Sequence, residues 1–209
     1  MRRVLQILLS AAVAALVFAH AGTAQAAGGN YRFDGGNALE RTQVREALKA
    51  SSFNWNLVKA QITIHIQHGT DSRAFPGEIW LDADLLDSGR FSWGVVQHEY
   101  AHQVDFFLLT QMNRSELQPL LGAKAWCWDT SGLGHADYGC ERFASTLAWT
   151  YWQNADNCMK PTSPQDESGG MAPTSRLADR SSSENSSGTE VLASGIRAPF
   201  AYQGPPFPL

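Results

Sequence analysis

The sequence predicts a single α+β domain with a small sheet, and two observations predict it. Ile62, Ile64 and Ile66 alternate with Thr63, His65 and Gln67, and a second alternation runs through Ile79 and Leu81 in EIWLD; both have the period of half-buried strands. Two later stretches carry helical spacing instead, one around residues 93–110 and one starting at Glu141 in ERFASTLAWTYW. The chain has 209 residues, 44% of them hydrophobic, enough for one domain with a real core and thin for two.

In chain order, residues 1–26 read as a signal peptide. Arg2 and Arg3 precede an apolar run from Val4 to Phe18, and small residues lead to a cleavage point after Ala26. The run is too short and alanine-rich for a membrane span, and no other stretch approaches the roughly 20 apolar residues a span needs. A secreted, soluble protein is therefore expected, in the medium or the periplasm. Gly28 to Gly36 reads as a poorly fixed, glycine-rich arm. Asn37 followed three residues later by Glu40 has the form of a capping box and opens a helix over about 38–50. The two strands follow, separated by a loop, HGTDSRAFPG, and are expected to pair.

Ser92 is the expected cap of a helix over about 93–110. On it Val95, His98, His102, Asp105 and Leu109 share one face, and Val96, Tyr100, Val104 and Phe107 form a second stripe for the core. A short helix is expected over 115–124 and a loop over 126–138, before the helix that Glu141 opens. From residue 160 to residue 209 the composition turns to Ser, Pro, Gly and scattered charge, and reads as a low-complexity, disordered tail. The folded domain is thus expected over 27–159.

The chemistry concentrates in HEYAH, His98 to His102. Two histidines four positions apart lie on one helix face about one turn apart, so both imidazoles can reach a single ion. Zinc is the expected ion, and Glu99 is placed to take a proton from a water that the ion activates. A catalytic zinc keeps three protein ligands and one open position, so a third ligand is required. Glu141 is the choice, with Asp105, His135 and Asp137 as rivals. Asp105, three residues past His102, is better suited to hydrogen-bonding the second nitrogen of a ligand than to reaching the metal.

With HEYAH at 98–102 and ERFAS at 141–145, the chain resembles the zincin metallopeptidases, and among them the gluzincin group. The resemblance covers residues 60–155 or so. It implies a zincin-like fold in which His98, His102 and Glu141 bind zinc, Glu99 activates water, and the reaction is hydrolysis of a peptide bond in a peptide or protein substrate. Tyr151, His135 and Tyr138 are candidates for stabilising the oxyanion. In one place the chain departs from the best-known members: an aspartate four residues after the glutamate ligand orients a histidine there, and Ser145 stands in that position here. Two rivals come from other classes. One is a non-catalytic zincin-like binding protein using an aromatic groove, with Trp126, Trp128, Trp149 and Trp152 as its lining. The other is a closed structural zinc site in which Asp105 or His135 replaces water. Glu99 favours the enzyme, because a binding module has no need of a base beside the metal.

The formal net charge is −4, and loss of the leader, with two arginines and no acid, makes it more negative. Without basic clusters the chain is a poor nucleic-acid binder. Cys127, Cys140 and Cys158 imply one disulfide and one thiol in an exported protein. A helix between Cys140 and Cys158 would hold them ~20 Å apart, against the ~7 Å limit for a bridge. Cys127–Cys158 is the expected pair, with Cys127–Cys140 open. His65 and His68, near a strand end, read as surface residues.

Overall fold

The computed structural model describes residues 28–127, 132–163 and 166–170. The expected signal peptide, Trp128 and the tail from residue 171 onward lie outside the described residues. What is described is α+β, with a four-stranded sheet and five α-helices.

The sheet comprises β1 (Tyr31–Gly35), β2 (Ile62–Gln67), β3 (Arg73–Phe75) and β4 (Glu78–Asp82), in the order β1-β2-β4-β3. β1 and β4 flank β2 in parallel, and β3 pairs antiparallel with β4 across the turn at Pro76 and Gly77. The two alternating stretches thus pair as expected, in a register that sets Ile64 beside Ile79 and Ile66 beside Leu81 on the buried face. On the other face His65 stacks on Trp80 at 4.6 Å between ring centroids, and the Arg73 guanidinium lies over the Trp80 ring.

The arm expected over 28–36 is instead partly a strand. Tyr31 and Phe33 alternate with Arg32 and Asp34, and Tyr31 pairs with Ile62. Gly29, at φ +87°, passes so close to Tyr100 that a Cβ there would fall 2.8 Å from the ring carbon bearing the hydroxyl.

α1 (Ala38–Ala50) connects β1 to β2, and its capping box is formed: the Asn37 side chain accepts from the Glu40 N–H while Glu40 accepts from the Asn37 N–H. After β4 come α2 (Ala83–Leu86), α3 (Trp93–Leu108), α4 (Gln111–Leu120) and α5 (Gly139–Thr150). Ser92 precedes α3 but does not cap it with its side chain, since its hydroxyl donates to Gly89 O at the end of a 3-10 turn. α4 starts four residues before the expected position, because Thr110 and Asn113 make a reciprocal cap, and it stops short of Gly122, whose φ is +67°.

α3 is buried almost all round from Val96 to Asp105, packed between the sheet, α1 and α5. Trp55, Tyr100, Phe143 and Leu48 anchor this core, and the indole of Trp55 donates to Leu48 O at 3.0 Å. Two buried glutamines fix the helix. Gln97 donates to Ala47 O in α1 at 2.7 Å, and Gln103 accepts from Gly77 N and donates to Phe75 O, both at 2.9 Å, in the β3–β4 turn. α3 is therefore tied to both layers on either side of the two histidines. Among the described residues no helix is long and apolar enough to cross a membrane.

Candidate metal centre

α3 and α5 pack against each other, and the buried residues His98, His102 and Glu141 meet between them. The helical step of four brings His98 Nε2 and His102 Nε2 to 3.1 Å from each other. Glu141, in the first turn of α5, places Oε2 3.2 Å from His98 Nε2 and 3.3 Å from His102 Nε2. A third imidazole joins them. His135, on the 3-10 turn His135–Asp137, sets Nε2 3.2 Å from the same Glu141 oxygen.

These separations suit a bound metal ion. Four ligands at 2.0–2.1 Å from a tetrahedral centre stand about 3.3 Å from one another. His98, His102 and Glu141 together can hold a metal ion. The charge of the cluster is balanced internally. Burial would raise the Glu141 carboxyl, but hydrogen bonds from His102 and His98 outweigh it and hold it far below the usual range. Burial would likewise lower His102, and the Glu141 hydrogen bond and charge overturn this and raise it.

Glu99 lies on the same helix and is 6% exposed. Burial pushes its carboxyl up, partly offset by His98 and His102. A proton acceptor raised in this way is better matched to neutral pH than an ordinary carboxylate.

The remaining candidates separate. His135 is at the cluster, half exposed, with Nδ1 hydrogen-bonded to Glu167 Oε1, a contact that raises the imidazole. Asp105 accepts from Arg114 Nε at 2.8 Å and from Trp126 Nε1 at 3.1 Å, and its charge helps to raise His102. Tyr151 packs edge-on against Phe53 at 5.1 Å, Tyr138 is buried in the core, and Asp137 pairs with Lys124. His65 pairs with Asp34 and His68 with Asp84. Trp126 and Trp152 are buried, against Phe143 and Trp93 respectively, so neither is free to line a groove.

The disulfide is Cys127–Cys140, with Cα atoms 5.5 Å apart, and Cys158 is a free thiol. This corrects the expected Cys127–Cys158 pair. Gly139 N and Cys140 N donate to Ala125 O and Trp126 O, which lays the start of α5 beside Cys127. Cys158 lies past the other end of α5, where a Cβ on Gly94 would fall 2.8 Å from its sulfur.

Two further groups belong to the site: Ser145, which stands where the resemblance puts a histidine-orienting aspartate, and Glu167, which had no sequence signal. Ser145 Oγ lies 3.0 Å from His98 Nδ1, within hydrogen-bonding distance, and its hydroxyl donates to Glu167 Oε2 at 2.8 Å. Glu167 begins a 3-10 turn, Glu167–Gly170, that packs on α5 inside the stretch expected to be tail. The Ser-, Pro- and Gly-rich composition around it hides any period that would have marked it. The chain matches no protein-family model, no curated protein and no solved structure.

Proposed function

We propose that the protein is a secreted zinc-dependent metallopeptidase of zincin type. The observation that carries this reading is the spacing of His98, His102 and Glu141 at 3.1–3.3 Å, with the buried Glu99 carboxyl within electrostatic reach of both histidines. Zinc, when bound, supplies Lewis acidity toward a carbonyl and acidifies water. Glu99 accepts the proton of the attacking water and returns it to the departing amine. His135, presented at the rim by Glu167, is the donor at hand for the developing oxyanion. The Cys127–Cys140 disulfide suits an oxidising compartment and so agrees with export.

The test is zinc content and cleavage of a mixed peptide library by the chain from Ala27 onward, alongside Glu99→Gln. One zinc in both proteins, with cleavage by the unmutated chain only, is the expected result. Absence of zinc would sink the reading.

A second reading is favoured by His135, whose Nε2 lies as close to Glu141 as those of the other two histidines. With His135 as a fourth ligand the site is closed and structural. Zinc in both proteins with no cleavage by either, together with loss of zinc in His135→Ala, is its signature.

A further inference from the structure

Glu167 touches both Ser145, the neighbour of His98, and the imidazole of His135. Its Oε2 accepts from Ser145 and its Oε1 meets His135 Nδ1. The proton directions follow from the inventory of each group. A serine hydroxyl has a single proton, and an ionised carboxylate can only accept, so that proton goes to Glu167. Burial works against ionisation of Glu167, but hydrogen bonds from His135 and Ser145 outweigh it and hold the carboxyl below its ordinary value. With its own proton committed, Ser145 Oγ must accept from His98, which places a proton on Nδ1; a metal at Nε2 would then take the place of the hydrogen bond that Nε2 makes to Glu141. That Nε2 is the atom facing His102 and Glu141.

We infer that Glu167 is a positioning residue of the metal centre: through Ser145 it fixes the tautomer and orientation of His98, and directly it aims His135 Nε2 at the same point. This rests on the proposal that His98, His102 and Glu141 bind a metal. The hydroxyl at position 145 is too weak an acceptor to orient a ligand imidazole by itself. A carboxylate 22 residues further along the chain supplies the charge through it. The turn Glu167–Gly170 is then part of the site, and the functional domain extends past residue 160.

The experiment measures zinc affinity by chelator competition, and the cobalt(II) absorption spectrum, for the full chain and for Glu167→Gln, Ser145→Ala and the double variant. Loss of such an outer partner commonly weakens metal binding by about 10- to 100-fold. Glu167→Gln is expected to lose that much and to shift the cobalt bands. Its effect is expected to be smaller in the Ser145→Ala background, because the relay to His98 is already cut. Glu167→Asp, which keeps the charge, is expected to recover part of the affinity, a rescue that a mere packing role would not give. Wild-type affinity and spectrum in Glu167→Gln, or full additivity with Ser145→Ala, would overturn the inference while leaving the metal site standing. Failure of the unmutated chain to bind zinc or cobalt would overturn both.

Discussion

Arg114 donates from Nε to Asp105 Oδ1 at 2.8 Å and from Nη2 to Asp105 O at 2.9 Å, tying α4 to the last turn of the helix that carries the two histidines. Asp105 is 1% exposed, and burial pushes its carboxyl up while Arg114 pulls it back. Arg114→Leu leaves that carboxylate buried with only the Trp126 indole, at a cost of about 3 kcal/mol. An acid whose folded pKa is raised loses stability as pH rises from the unfolded value through the folded one. Removing the guanidinium raises the folded value further. The destabilisation of Arg114→Leu is therefore largest at neutral pH and shrinks toward pH 4, which urea titrations of both proteins at pH 4 and pH 7 will show.

The disulfide closes a short loop, with a sequence separation of 13 between its cysteines, and holds the His135 turn against α5. A loop of that size contributes about 3 kcal/mol. The Cys127→Ala, Cys140→Ala double variant should unfold at correspondingly lower urea. Alkylation in denaturant without reductant should modify one cysteine per chain, Cys158, identified by peptide mass. In the folded protein the same thiol should react slowly at neutral pH, because burial raises it.

Elements with a strong period or a cap were legible in advance. α1 follows from Asn37 and Glu40, β2 and β4 from their isoleucine alternation, and α3 from HEYAH with its flanking apolar steps. β1 was hidden because glycines at 28, 29, 35 and 36 bracket only four alternating residues, a pattern that reads as loop until β2 is there to pair with it. β3 is three residues long and exists by pairing with β4. His98, His102 and Glu141 were readable because helix geometry brings i and i+4 together and α5 is short and close. Glu167 and the cysteine pairing were not, because both depend on how irregular chain folds back over α5, and no local pattern encodes that.

Metal binding should release protons. His102 is raised by Glu141 against the effect of burial, whereas a metal ligand must be a neutral imidazole, and Glu141 is already ionised. As pH falls through the raised His102 value the proton competes with the metal, and affinity drops by about tenfold per pH unit for each proton displaced. Above that value the dependence flattens. Calorimetric titration of zinc at pH 6.5 in two buffers of different ionisation enthalpy should give different heats, the difference reporting the protons released. Identical heats in both buffers would contradict the charge balance described for Glu141 and His102.

Gln103, the residue after His102, is wholly buried and bonds three backbone groups of the β3–β4 turn: Gly77 N, Phe75 O and Glu78 O. Gln103→Leu keeps the volume and removes every one of these partners. These backbone groups are only partly buried, so water can replace some of the lost partners, and the substitution should destabilise by about 1–2 kcal/mol. The effect should reach the metal centre as well, because Gln103 is what holds the His102 turn of α3 at a set distance from the sheet. Zinc affinity in Gln103→Leu is expected to fall even under conditions where the variant is fully folded by circular dichroism. Unchanged affinity would mean that the packing of α3 against α5 alone positions the imidazoles, with the sheet acting only as a support for the core.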